Sequence, residues 1–250
     1  MHNVDIMNIL SIGTDREILQ PRSDARARMV LYSPLVNEMY IHCTSRTAVS
    51  NEKIADNITV YAATSWFKSF SLIKNLIKEK HIDVIVSPDP FAKGWISMCF
   101  AWWYKKKFLL SVYGGNIFDP HWKKLSLWNR IYAWIGTVLF THADAIQTDG
   151  LETYDFLKQK YGDKVFWKPM VPANRNELLA VQKNENSTRT KSRVLYIGRL
   201  IEQKNIPFLT RVINEVHECV EVTVVGDGEM KKLLPLEYIQ YFPKQSRTEI

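Results

Sequence analysis

Val194-Leu195-Tyr196-Ile197-Gly198-Arg199-Leu200 is a short apolar, β-rich run broken by a glycine, and Val222-Thr223-Val224-Val225-Gly226-Asp227-Gly228 repeats that design after one helical stretch. Apolar runs of this kind, alternating with longer segments of helical period, specify parallel strands joined by crossover helices. Between the two runs Leu209, Val212, Ile213 and Val216 form one stripe, with Asn205 as cap and Pro207 in the first turn. The alternation extends back to the N-terminus. Strands are expected at Ile6–Ile12, Tyr40–Cys43, Ile58–Ala62, Val84–Val86, Phe108–Val112 and Ala145–Thr148. A helix starting from a Ser65 cap is expected to bury Trp66, Phe70, Ile73 and Ile77, and one over Leu127–Leu139 to bury Trp128, Ile131, Ile135 and Val138.

Between Ala173 and Ser192 the composition turns polar, with only Leu178, Leu179, Ala180 and Val181 apolar, so residues 173–192 are expected to be a linker between domains 1–172 and 193–250. The second domain offers two parallel strands and a helix opening at Glu229, and no further alternation is evident from Pro235 onward. Two strands rarely stand alone, so this domain is expected to be incomplete.

Composition excludes several classes. At 250 residues, 46% hydrophobic and 24% charged, the chain is neither disordered nor fibrous. Cys43, Cys99 and Cys219 are odd in number and widely spaced, which opposes a disulfide framework. Without a Cys-x-x-Cys pair or ligand-spaced histidines, no metal is expected. The N-terminus lacks a secretory pattern, so a cytoplasmic setting is expected, and Asn57-Ile58-Thr59 and Asn186-Ser187-Thr188 are chance glycosylation matches. The apolar stretch Trp95–Tyr104 would be about 15 Å long as a helix, against roughly 30 Å of bilayer core. A net charge of +7 favours anionic partners, but the basic residues are scattered and no nucleic-acid reader motif is present, so no nucleic acid is expected. A dinucleotide-dependent oxidoreductase is disfavoured because Gly13-Thr14-Asp15 lacks the glycine spacing of such sites.

Ligands of open parallel sheets bind beyond the carboxyl ends of the strands, where loops and helix N-termini gather. The loop after Val194–Ile197 carries Arg199 and Lys204, and together with the following helix tip these cations suit a diphosphate. Solvated surface charge is the competing reading. Gly226-Asp227-Gly228 is a turn anywhere, but between strand and helix its glycines would let backbone approach a phosphate.

These two motifs, in order and at compatible spacing, resemble the opening of the C-terminal domain of glycosyltransferase family 4. The resemblance implies an α/β, GT-B-like fold: a Rossmann-like N-terminal domain and a second, here partial, donor-binding domain. It also implies retaining, metal-independent transfer from a nucleotide-sugar to a hydroxyl acceptor, a glycan or a lipid-linked molecule, with no cofactor. Gly198, Arg199, Lys204, Gly226 and Gly228 would hold the donor diphosphate. The first domain is similar more loosely, through its first strand and long loop, the loop after Phe108–Val112, and Ala143-Asp144-Ala145-Ile146.

In that domain Arg16, Gly114, Gly115 and His121 are candidates for the acceptor crevice, and Tyr113 and Asn116 for the catalytic position. Relatives often carry histidine where Tyr113 stands, and a phenol cannot become cationic near neutral pH. Arg22, Arg26 and Arg28 follow Arg16, with exposed helix charge as the alternative for Arg26 and Arg28. The family's spaced glutamate pair is not matched in context: Glu177 with Glu185 falls in the linker, and Glu221 with Glu229 straddles a strand. Weak or absent turnover by this chain is therefore expected, and a non-catalytic anion- or nucleotide-binding module, or a degenerate copy, is the alternative. Trp102-Trp103-Tyr104-Lys105-Lys106-Lys107 is expected to be paired core tryptophans followed by lysines that the dipole favours at a helix C-terminus, with peripheral contact with an anionic membrane at its inner face as the competing reading.

Overall fold

A computed structural model describes residues 6–13, 15–45, 51–169 and 191–245. The chain divides into two compact units, Met1–Ala180 and Val181–Ile250. Most of the expected linker lies outside the described residues.

The first unit is built on one sheet of β1 (Asn8–Ile12), β2 (Glu38–Thr44), β3 (Asn51–Ala55), β4 (Ile58–Ala63), β5 (Val84–Ser87), β6 (Lys107–Val112), β7 (Ala145–Thr148) and β8 (Val165–Trp167), in the order β3-β4-β2-β1-β5-β6-β7-β8. All pairs are parallel except β3 with β4. The sheet's direction of growth reverses between β1 and β5, the place in an open parallel sheet where ligands bind.

The helices are α1 (Asp24–Val30), α2 (Trp66–Glu79), α3 (Ala92–Trp103), α4 (Pro120–Lys124), α5 (Leu127–His142) and α6 (Leu151–Tyr161). Period-two alternation sorts the strands between two cores. Leu10, Ile12 and Tyr40 join Ile73 and Ile77 of α2, Phe100 of α3, Phe140 of α5 and Leu157 of α6. Met39, Ile41 and Cys43 point the other way and meet Ile18 and Met29.

Ser65 caps α2 by accepting from the Lys68 N–H, and Ser126 caps α5 through the Trp128 N–H. The inward faces differ from those expected. Ser69, Ile73, Leu76 and Ile77 are buried on α2, whereas Trp66 and Phe70 are exposed. On α5, Gly136, Leu139 and Phe140 face in, and Trp128 and Ile131 face out. Each helix is apolar on more than one side, and the side that wins permits close approach. A Cβ on Gly94 of α3 would lie 2.7 Å from the Asp89 backbone carbonyl oxygen and 2.7 Å from Leu139 Cδ1 of α5; the leucine could shift but the carbonyl could not, so a glycine is needed at this position.

The second unit holds β9 (Ser192–Ile197), β10 (Val220–Val225) and β11 (Ile239–Phe242), all parallel in the order β11-β10-β9, with α7 (Ile206–Val216) packed on one face. The expectation of two strands is corrected to three, and the helix expected at Glu229 is a 3-10 turn, Glu229–Leu233. Ile239 and Tyr241 alternate inward as a strand should, but Ile239-Gln240-Tyr241-Phe242 is too short a pattern to stand out in the sequence. β3 and β8 were missed for similar reasons: β3 is a largely polar edge strand, and β8 has three residues.

Candidate functional site

In the second unit, Leu200 and Ile206 are fully buried and pin both ends of the loop between β9 and α7. Arg199 immediately precedes the first anchor, and Lys204 closes a 3-10 turn (Glu202–Lys204) just before the second, so both cations are exposed at the carboxyl end of β9. Neither forms an ion pair among the described residues. Asn205, in the left-handed region at φ 49°, caps α7 by accepting from the Phe208 N–H. Because Pro207 has no N–H and Asn205 takes the Phe208 donor, the helix tip offers its dipole rather than a row of free amides.

The glycines do other work than expected. Gly198 N–H donates to the Val225 carbonyl (3.0 Å), Gly226 N–H to the Phe242 carbonyl (3.1 Å), and Leu200 N–H to the Asp227 carbonyl (2.9 Å). The loops after β9, β10 and β11 are thus laced together, and the Gly198 and Gly226 amides are already committed. A Cβ on Gly226 would collide with the Gly198 carbonyl oxygen, and one on Gly228 with that of Leu200. Here glycine permits backbone to approach backbone.

Asp227 completes the lacing. Its carboxylate accepts from the Lys244 N–H (2.7 Å) and lies 2.9 Å from the Tyr241 hydroxyl. The Lys244 amide first, then Tyr241, hold its pKa below the usual carboxylate range.

In the first unit the carboxyl ends of the parallel strands gather two groups. One surrounds Tyr113, which follows β6. Burial of its phenol raises the pKa despite a hydrogen bond with Ser111, and Tyr32, Asp149 and Arg28 lie within electrostatic reach. Gly114 N–H approaches Asp149 Oδ1 at 3.4 Å with φ +83°, and Gly115 lies beside Thr153. Lys168 Nζ sits 2.7 Å from the Tyr32 hydroxyl. Asn116 opens a 3-10 turn, but its side chain lies outside the described residues. His121 is exposed in the first turn of α4, its backbone N–H capped by Asp119. Arg16 is exposed in the loop after β1 and donates through Nε to the Thr44 carbonyl (3.0 Å). Arg26 pairs with Glu52 of β3 at 2.6 Å, a cross-element contact rather than a free helix charge.

The second group lies where sheet growth reverses. His42 at the end of β2 is fully buried, and neither ring nitrogen meets full hydrogen-bond geometry among the described residues. Burial first, then the Lys93 ammonium, lower its pKa to about 4. Burial also lowers Lys93 and raises Asp89, each partly offset by the other. Gly13 packs against Pro88, bringing the loops after β1 and β5 together. The motif reading missed this group. Its only signal was Pro88-Asp89-Pro90 between a strand and a helix.

No protein-family model matches the chain, and no curated protein matches it in sequence. Solved structures do match. Anabaena HepE in complex with UDP and glucose superposes with a TM-score of 0.58 at 13% identity, covering 96% of this chain and 70% of that one. A glycosyltransferase from Rickettsia africae matches at TM-score 0.55 and 16% identity over 97% and 69%. A UDP-N-acetylglucosamine 2-epimerase from Rickettsia bellii matches at 0.56 and 15% over 98% and 70%. The fold is therefore the α/β, GT-B-like architecture shared by glycosyltransferases and these epimerases. At such low identity the likeness defines the fold alone.

Proposed function

We propose that this chain binds a nucleotide-sugar and belongs to a glycosyltransferase of family 4 type, with retaining, metal-independent transfer to a hydroxyl acceptor. One observation carries the reading: Arg199 and Lys204 stand exposed, without ion pairs among the described residues, in a single anchored loop at the carboxyl end of β9. Fixed cations there would stabilise charge developing on a departing diphosphate. The solved HepE complex with UDP and glucose supports a nucleotide-sugar as ligand class. Of the glycines, Gly228 is left to contribute an amide, since those of Gly198 and Gly226 are engaged. In the first unit Arg16, Tyr113, Gly114 and Gly115 would face the acceptor. Asn116 and His121 remain candidates from the sequence pattern.

A nucleotide-binding module without transfer is the second reading. It is favoured by Tyr113, a phenol that cannot become cationic near neutral pH where the resemblance implies a histidine.

Isothermal titration with UDP and other nucleoside diphosphates tests the binding claim. Each charge-assisted contact contributes about 1.5–3 kcal/mol, so Arg199→Ala and Lys204→Ala should each weaken binding by roughly 10- to 100-fold. Equal affinity in wild type and the double variant would remove the site. A radiolabelled-donor assay that separates transferred sugar, free sugar and free epimer then decides between transferase, epimerase and binding module.

A further inference from the structure

We propose that the outward face of α3 and α5 docks the protein on an anionic lipid bilayer. This rests on a different surface from the nucleotide site and does not depend on that reading. Helices on a sheet normally turn polar residues to water. On α3 the exposed stripe is instead Trp95, Cys99 and Trp102, at i, i+4 and i+7, joined by Trp103. Trp102 and Trp103 are 81% and 75% exposed, so the expectation that paired tryptophans would be core is overturned. On α5 the same spacing exposes Leu127, Ile131 and Trp134. The two stripes meet where the Trp95 and Trp134 rings lie 6.3 Å apart between centroids. A groove of about 880 Å³ continues the face past the end of α3, lined by Cys99, Trp102, Trp103, Lys105, Lys106 and His142 among others.

Charge selects the occupant. Residues 89–144 carry seven Lys or Arg against three acids, Asp89, Asp119 and Asp144, so this segment supplies +4 of the chain's +7, and it holds six of the eight tryptophans. Neither α3 nor α5 contains an Asp or Glu. The end of α3 adds an independent sign. Lys106 N–H donates to the Ala101 carbonyl and Lys105 N–H to that of Trp102, the closure that usually places glycine at the left-handed position. Here Lys105 occupies it at φ 52°, so a cation stands where glycine would be less strained. Lys107 is tied to Asp144 at 2.8 Å, which leaves Lys105 and Lys106 to face a partner.

A second copy of the chain would set like charges against each other across a twofold axis. Tryptophan prefers the headgroup level of a bilayer, and lysines beside it are drawn to anionic lipid. No helix among the described residues is long and apolar enough to cross a membrane, so the contact is peripheral.

The test is flotation of the full chain with vesicles of phosphatidylglycerol and phosphatidylcholine in equal parts, and with phosphatidylcholine alone. The wild type should float with the anionic vesicles, its tryptophan emission shifting to the blue, and should remain behind with the neutral ones. Trp102→Ser with Trp103→Ser, and separately Lys105→Glu with Lys106→Glu, should each reduce partitioning at least tenfold while keeping the wild-type thermal transition. Trp102, Trp103 and Lys105 are exposed and Lys106 is half-buried beside the groove, so folding should survive, and the two pairs check each other. Raising salt to 1 M, where screening acts over about 3 Å, should weaken wild-type binding. Equal flotation on both vesicle types, or unchanged flotation in both double variants, overturns the proposal. So does a wild-type dimer that fails to float and dissociates when Trp102 and Trp103 are replaced.

Discussion

Lowering the pH from 7 to 4 should destabilise the first unit through His42. An unfolded histidine titrates near 6.5, whereas burial and the nearby Lys93 charge hold the native His42 pKa at about 4, only partly offset by its own backbone. Between those values the unfolded chain binds a proton that the native state does not, so stability falls as the pH falls through that window. Each pKa unit is worth about 1.4 kcal/mol, and the whole displacement comes to roughly 3 kcal/mol, a large share of a typical domain's stability. The assay is denaturant unfolding at intervals from pH 7.5 to 4, in wild type and His42→Leu, with the His42 ring followed by NMR. The difference between the two proteins isolates His42 from every other titrating group. The variant should lose that part of the pH dependence. At neutral pH it should be little destabilised, because the imidazole it removes is buried with neither nitrogen in full hydrogen-bond geometry among the described residues. A His42 resonance titrating near 6.5, or identical pH slopes in the two proteins, would refute the reasoning.

Gly226→Ala should destabilise the second unit by roughly 1–3 kcal/mol, since the new Cβ meets the Gly198 carbonyl oxygen, and a lowered thermal midpoint for that unit would register it. Asp227→Asn should loosen the end of β11, seen as faster hydrogen exchange at the Lys244 amide. The wild-type carboxylate has a depressed native pKa, so its contribution is present above the unfolded value near 3.9 and is lost as the pH falls through the lower native one. An Asn variant that exchanges like wild type at neutral pH would show the charge to be idle. Replacing Arg199 or Lys204 should weaken nucleoside diphosphate binding without shifting the thermal transition, because both side chains are exposed and make no ion pair among the described residues.

The alternation of apolar runs and helical stripes determined the α/β class, the parallel pairing and the loops to inspect. Such periodicities follow from local geometry, and a strand such as Ala145–Thr148 needs no distant partner to be recognised. Asn205 as cap and Arg199 and Lys204 in the loop before it were legible for the same reason. Only the tertiary structure decided which side of a doubly apolar helix faces in. Trp128 and Phe140 lie on one helix and look alike in sequence, yet Gly136 and the fit against Ile117 put Phe140 in the core and Trp128 in water. Tertiary contacts also gave Gly226 its place against Gly198, and buried His42 beside Lys93 although 51 positions separate them in the chain. Burial and electrostatics depend on atoms brought together from far apart, so a motif can name residue types but cannot show what each one faces.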